Sequence, residues 1–276
     1  FIVGTNFGSI IMNEDIIKSY ATQEAIEFMP TVRGWLGMVR LRQELSNHLP
    51  SKIKILDIGG GNGIVSGWLL SKGHQVYLLD LMPELVSEAK KELSHYSGFQ
   101  AGVGDARNLP FSDSTFDAVI SLGPHYHLLK EEDRLISLLE IRRTVKPGGK
   151  VVVEFMGRYN FDLWAAHRGL TDDEALLSIQ NINSAGNMIN AGSSKNLFMT
   201  CHTDTSKQML EIAQKAGLIN IENIALEGPF WPASTPSKPL DRKQASRLLS
   251  IARRNSTLEE YINLSPHSLL VAQRPD

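Results

Sequence analysis

Ile53-Lys54-Ile55-Leu56-Asp57-Ile58-Gly59-Gly60-Gly61-Asn62-Gly63 is the stretch on which the reading of this chain turns. An apolar run carries one acid and ends in four glycines within five residues. It reads as a buried strand that enters a tight turn and opens a helix. Glycine in such a turn adopts positive φ without strain and lets backbone N–H groups approach a ligand that a Cβ would hold off.

Outward from this turn the pattern alternates. Two helices precede it, Glu14 to about Met29 and about Val32 to His48, the first ended by Pro30. After strand Ile53–Ile58 come helix Ile64–Ser71, strand Gln75–Leu79, helix Pro83–His95 and strand Phe99–Val103. Strand Phe116–Leu122, helix Glu131–Val145, the turn Lys146-Pro147-Gly148-Gly149 and strand Lys150–Phe155 follow. This alternation requires a parallel sheet with helices on both faces and right-handed crossovers. Residues 157–205, rich in Asn, Ser, Gly and aromatics, interrupt the rhythm as an insertion with a helix at Thr171–Asn183. Helix Thr205–Ala216, strand Leu218–Leu226, a proline-rich loop Gly228–Pro239, helix Asp241–Arg254 and a last, antiparallel strand His267–Ala272 complete the core. The expected organisation is a tag or disordered stretch at 1–11, a helical lid at 12–50, a binding core at 51–156, a pocket-building insertion at 157–205, and the rest of the core at 206–276.

Composition narrows the class. The 276 residues hold 42% hydrophobic and 21% charged side chains, as in an ordinary soluble domain. A net charge of −2 leaves no electrostatic footprint for nucleic acid or an anionic membrane. The single cysteine, Cys201, excludes an internal disulfide and fits a reducing, cytoplasmic setting. No apolar run approaches the roughly 20 residues of a membrane span.

In an open parallel sheet ligands bind beyond the carboxyl ends of the strands, at the switch point beside the first strand. Those ends are Gly59–Gly63, Asp80, Asp105-Ala106 and Ser121–His127. Asp80 is placed to accept from both hydroxyls of a ribose, or to cap the next helix. Asp105 is placed to accept from the exocyclic amine of adenine, or to form a turn. The dinucleotide pattern G-x-G-x-x-G fails in register, because Ile64 or Ser66 stands where the third glycine belongs. The pattern that fits is D-x-G-x-G-x-G, at Asp57, Gly59, Gly61 and Gly63.

Asp57 to Gly63, then Asp80, then Gly104-Asp105-Ala106 with Leu109-Pro110-Phe111, then Phe116-Asp117 and Lys146-Pro147-Gly148-Gly149, together resemble the class I S-adenosylmethionine-dependent methyltransferases. The resemblance implies a Rossmann-like α/β fold with a seven-stranded sheet whose last strand is antiparallel. It implies S-adenosyl-L-methionine as cofactor, held by Asp57, Gly59, Gly61 and Gly63 at the turn, by Asp80 at the ribose and Asp105 at the adenine amine, with Leu81, Ala106, Ser121 and Leu122 as further cofactor contacts. Leu122-Gly123-Pro124-His125-Tyr126-His127-Leu128 is further similar to the L-G-P-L-Y-H-L segment of a bacterial subgroup, with His125 in place of the usual Leu. Leu226-Glu227-Gly228-Pro229, Ser265-Pro266-His267 and Arg40 resemble the same subgroup, and there Arg40 pairs with the cofactor carboxylate; the alternative is a solvated helix arginine.

For the transfer itself, His125 and His127 are the candidate bases, with pocket shaping as the alternative role. In an extended segment their side chains point oppositely. A metal at this H-x-H lacks a third ligand, so none is expected. Tyr126, Arg158 past strand five, and Tyr20 and Trp35 in the lid are candidate substrate contacts, Arg158 as an anion or carbonyl holder or as a surface salt bridge. The N/D-P-P-Y/F motif of nucleobase and glutamine N-methylation is absent after strand four. These features point to methyl transfer to a small molecule, a peptide natural product among the options, with no nucleic-acid or membrane partner. The alternative is a non-catalytic cofactor-binding module or partner subunit of the same fold.

Overall fold

The computed structural model describes residues 32–169, 173–188, 200–233 and 241–276. The expected helix at 14–29 and Tyr20 therefore lie outside the described residues, as do the first eleven residues.

Helix α1 (Val32–His48) leads into β1 (Lys54–Ile58), followed by α2 (Ile64–Ser71), β2 (Gln75–Asp80), α3 (Pro83–Leu93) and β3 (Phe99–Val103). Then come β4 (Phe116–Ser121), α4 (Pro124–His127), α5 (Glu131–Thr144) and β5 (Val145–Phe155). The insertion holds α6 (Asn160–Arg168), α7 (Asp173–Ala185) and a short ribbon, β6 (Asn187–Met188) with β7 (Cys201–His202). The chain closes with α8 (Ser206–Lys215), β8 (Ile219–Ala225), a 3-10 turn (Gly228–Ala233), α9 (Arg242–Arg254), α10 (Glu259–Leu264) and β9 (Ser268–Gln273). The seven-stranded sheet runs β3-β2-β1-β4-β5-β9-β8. β1 pairs in parallel with both β2 and β4, and β9 is antiparallel to both β5 and β8. The strand order reverses at β1, which places the switch point at the glycine turn.

The strands alternate between two buried faces. Leu56, Ile58, Val119, Val151, Val153, Leu270 and Ala272 meet α5 and α8 through Leu138, Ile141, Met209 and Ile212. Ile55, Ala118, Ile120, Val152, Leu269 and Val271 meet α1 and α2 through Leu41, Leu45, Leu69 and Leu70. A strand buried on both sides reads as continuous apolar sequence, which is why these segments were legible. α8 and α9 each begin with a reciprocal capping box, Thr205 with Gln208 and Asp241 with Gln244.

Four expectations change. Lys146–Gly149 is not a turn before β5 but lies inside it, where the β4 register jumps from Phe116↔Val145 to Ala118↔Lys150. Residues 124–127 form a short helix rather than an extended segment, because Pro124 with φ fixed near −65° starts a helical turn after Gly123 at φ +132°. The loop after β8 opens with a 3-10 turn over Gly228–Ala233, and residues 234–240 lie outside the described set. α10, a six-residue helix, went unread because it is too short to show periodicity.

Candidate cofactor and acceptor site

The glycine turn is built for an approaching ligand. Gly59, Gly61 and Gly63 have φ of +71°, +54° and +89°, all in the left-handed region. A Cβ on Gly59 would collide with the Pro124 ring, and one on Gly63 would stand 2.7 Å from Leu93 Cδ1. Above Gly61 a Cβ would meet nothing within 4 Å. Two of the glycines thus serve packing, and the middle one faces open space.

Two carboxylates brace the turn. Asp80 accepts from the Gly61 N–H through Oδ2 (2.8 Å) and from the Met82 N–H through Oδ1 (2.9 Å). Each oxygen keeps a lone pair for a ribose hydroxyl. Asp57 is fully buried and accepts from Ser66 Oγ at 2.6 Å through Oδ2. Its Oδ1 has no hydrogen-bond partner among the described residues. Burial pushes the Asp57 carboxyl up to about 6, with the Ser66 bond opposing and the nearby Asp80 charge adding to the shift.

Around the turn three apolar side chains stand open: Ile64 at the start of α2 (43% exposed), Leu81 just past β2 (41%) and Val103 at the end of β3 (51%). Ser121 closes β4 with a buried Oγ that lacks a partner among the described residues. Ala106 is buried, and Leu122 donates its N–H to Ile58 O at 3.2 Å. An orphaned carboxylate oxygen, an open glycine and an apolar rim beside a ribose-spaced acid fit S-adenosylmethionine.

Asp105 is more engaged than its sequence position suggests. Arg107 grips it with Nε and Nη2 at 3.1 and 2.7 Å and extends Nη1 to Asp133 at 3.3 Å. Burial alone would raise the Asp105 carboxyl; the Arg107 fork holds it below its ordinary range. An adenine amine would share this carboxylate with Arg107. The sequence signal for that pairing, an arginine two residues past the acid, was overlooked.

Arg40 sits 1% exposed on α1, so it is not a solvated helix residue. Its Nη2 pairs with Glu44 at 2.6 Å and its Nη1 donates to Gln43 at 3.2 Å, both on its own helix. Glu227, at the end of β8, is the other acid that acts on it. The described contacts of Arg40 therefore run along α1 and not to the glycine turn. Trp35 lies on α1, five residues earlier, and its side chain lies outside the described set.

On the acceptor side, Tyr126 packs with Met156, Phe161, Trp164, Met188 and Trp231 in one buried cluster that joins α4 to the insertion. His127 donates a hydrogen bond to the Thr200 backbone, which favours its protonated form, but burial outweighs this and lowers it to about 4. His125 is 2% exposed, with Nε2 3.2 Å from Asp204 Oδ2. On a helical turn, residues two apart still diverge by about 200°, so the two histidines face different ways for a different reason than an extended strand gives. Asp204 was not anticipated; it lies 79 residues from His125, and only the fold brings them together.

Arg158 corrects its expected role. Its Nε donates to Thr203 O (3.0 Å), Nη1 to Asn183 O (3.4 Å) and Nη2 to Gln208 Oε1 (2.8 Å). With its guanidinium committed to three protein acceptors and 5% exposed, it ties the insertion to α8 and is not a surface residue.

Comparison with known proteins agrees with this geometry. Residues 56–153 match the family model for a methyltransferase domain. A probable tRNA methyltransferase 9B of Mus musculus is 34% identical over 116 residues, covering 41% of this chain and 24% of that protein. Demethylmenaquinone methyltransferase of Beutenbergia cavernae is 34% identical over 118 residues, covering 42% of this chain and 45% of that protein. The chain thus spans less than half the length of either relative. The solved structure of Haemonchus contortus phosphoethanolamine N-methyltransferase 2 in complex with S-adenosyl-L-methionine superposes with a TM-score of 0.60 at 18% identity, covering 98% of this chain and 61% of that one. Residues 56–153 are a methyltransferase domain, and the chain carries the fold of the class I S-adenosylmethionine-dependent methyltransferases.

Proposed function

We propose that the protein transfers a methyl group from S-adenosylmethionine to a small-molecule acceptor bound between the ends of β4 and β5 and the 157–205 insertion. The bound cofactor supplies an activated methyl; the protein aligns the acceptor with it and excludes water. The carrying observation is the buried cluster of Tyr126, Met156, Phe161, Trp164, Met188 and Trp231, which sets an aromatic and thioether wall directly beside the strand ends. Such a wall suits an enclosed apolar pocket with few polar groups. In this reading Asp57, Asp80, Asp105, Ala106, Ser121, Leu122 and Leu81 with the three turn glycines hold the cofactor, and Tyr126 shapes the acceptor pocket.

A second reading has support from one element. α9 exposes Lys243, Arg247, Arg253 and Arg254 and contains no acid, a one-signed surface that suits an anionic macromolecule such as tRNA.

Calorimetric titration with S-adenosylmethionine, followed by S-adenosylhomocysteine release with a small-metabolite pool and separately with bulk tRNA, tests both. Turnover with the metabolites supports the first reading, and turnover with tRNA alone supports the second. Binding without turnover in either pool supports a non-catalytic module, and absence of binding sinks all three.

A further inference from the structure

The insertion contributes more than a wall. Just past β5 it rejoins the sheet end: Asp204 N–H donates to Met156 O (2.9 Å), Arg158 N–H donates to Asp204 O (3.0 Å), and Gly157 and Asp204 form a parallel bridge. This fixes the Asp204 backbone at the tip of the strand beside β4.

The Asp204 side chain is then shared by two imidazoles. Its Oδ2 lies 3.2 Å from His125 Nε2 and its Oδ1 3.1 Å from His202 Nε2. All three residues are buried, at 2% for His125, 5% for His202 and 4% for Asp204. Burial opposes ionisation of Asp204, but the hydrogen bonds from both histidines hold its carboxyl far below the usual range. An ionised carboxylate only accepts, so both Nε2 atoms carry their proton.

The far nitrogens differ. His202 Nδ1 stands 2.6 Å from Asn187 Oδ1, and burial keeps His202 below its ordinary value. With Nε2 protonated toward Asp204, a neutral His202 accepts at Nδ1, which requires the Asn187 amide turned so that its NH2 faces the ring; oxygen and nitrogen of an amide are assigned from such networks. His125 Nδ1 is buried and has no hydrogen-bond partner among the described residues. Its helix packs Pro124 against Gly59 in the cofactor turn. Around the carboxylate the charged groups are Arg134 from α5, Arg158 after β5 and, more distantly, Glu131. Arg134 Nη1 donates to Leu128 O and Leu129 O at 2.8 and 3.0 Å, so it steadies the loop after α4 without reaching His125. The two imidazoles converge on a carboxylate, not on an open point, and no group of described residues is arranged to hold a metal.

We propose that Asp204 and His202 are positioning residues that hold His125 with Nδ1 unprotonated and facing the acceptor, and that the acceptor is a hydroxyl compound. The inference rests on the methyl-transfer reading above. His125 Nδ1 takes the proton of the acceptor O–H. The freed oxygen pair forms the O–CH3 bond while the S–CH3 bond breaks with its electrons left on sulfur. The imidazolium so formed is stabilised by the ionised Asp204 carboxylate and releases its proton to solvent as product leaves. A thioether or an already neutral amine is nucleophilic as it stands, whereas a hydroxyl, above all a phenol, gains most from proton removal during attack.

The test uses the full chain saturated with S-adenosylhomocysteine. Imidazole nitrogen NMR of wild type at pH 7 is expected to show His125 protonated at Nε2 and bare at Nδ1. In Asp204→Asn and in His202→Gln that tautomer preference is expected to weaken. The second variant keeps the buried carboxylate and guards against a folding failure of the first. A panel of small phenols and matched primary amines with S-adenosylmethionine is the activity arm. Phenols are expected to turn over, with kcat lowered about 100-fold or more in Asp204→Asn, the pH profile displaced, and cofactor affinity within twofold of wild type. A wild-type His125 protonated at Nδ1 overturns the proposal whatever the panel gives. So does amine turnover that Asp204→Asn leaves unchanged. Loss of cofactor binding in wild type instead removes the underlying methyl-transfer reading.

Discussion

Asp80 Oδ2 accepts the Gly61 N–H at 2.8 Å, so the acid that ends β2 holds in shape the turn that ends β1. The parallel register pairs Ile58 with Leu79, which brings the two strand ends level. The ribose acid is therefore also a brace for the turn that meets the rest of the cofactor.

Asp80→Ala is expected to weaken cofactor binding more than it weakens the fold. It removes a charged acceptor from two backbone N–H groups and from the proposed ribose contact. A hydrogen bond to a charged group is worth about 1.5–3 kcal/mol, which corresponds to roughly 10–100-fold in Kd. Calorimetric titration of the variant with S-adenosylhomocysteine checks this; an unchanged Kd would remove Asp80 from the site.

Gly61→Ala and Gly63→Ala are expected to separate binding from stability. Gly63 has φ +89°, and a methyl there meets Leu93 and Ala89 at 2.7 and 3.3 Å, so overpacking is added to backbone strain. A loss of about 2–4 kcal/mol in unfolding free energy follows. Gly61 has φ +54° and open space above it, so its alanine costs about 1–2 kcal/mol but projects a methyl into the ligand's approach. Denaturant unfolding and cofactor titration on both variants should rank them oppositely.

The turn was legible because glycine and an acid at fixed spacing state their chemistry locally. The sheet was legible because strands buried on both faces leave apolar runs. What the sequence hid depends on distance along the chain. Asp204 and His125 are 79 residues apart, and no local pattern at Thr203-Asp204-Thr205 distinguishes a buried charge partner from a helix cap. The partners of Arg158 were hidden, and a basic residue just past a strand end looks available for ligand. Its carbonyl partners, Thr203 and Asn183, come from an insertion whose path the sequence does not fix. Arg107 is the exception: it stands two residues past Asp105, so its fork on that carboxylate is a local feature that the sequence does carry.

Arg158→Ala is expected to damage the fold and spare the cofactor. The change deletes donors to Thr203 O, Asn183 O and Gln208 Oε1 and leaves buried acceptors unpaired, at a cost of about 3–5 kcal/mol. Thermal unfolding should move strongly downward. At a temperature where the variant remains folded, its Kd for S-adenosylhomocysteine should match wild type. A selective loss of acceptor turnover at full stability would restore Arg158 as a substrate contact.

Asp57 and His127 pull stability in opposite directions over one pH window. Burial raises the folded Asp57 carboxyl to about 6, so between pH 4 and 6 the native state binds the extra proton and stability falls as pH rises. Burial lowers folded His127 to about 4, so between pH 4 and 6.5 the unfolded state binds the extra proton and stability rises with pH. Each shift of about two units is worth about 2–3 kcal/mol, and in wild type the two largely cancel. Asp57→Asn, which keeps an acceptor for Ser66 Oγ, removes only the falling component, so it should gain on wild type between pH 4.5 and 7. His127→Gln removes only the rising component and should lose ground over the same interval. Urea unfolding of the three proteins at pH 4.5 and 7 measures both differences. Parallel behaviour of the two variants would mean that neither group titrates where its burial places it.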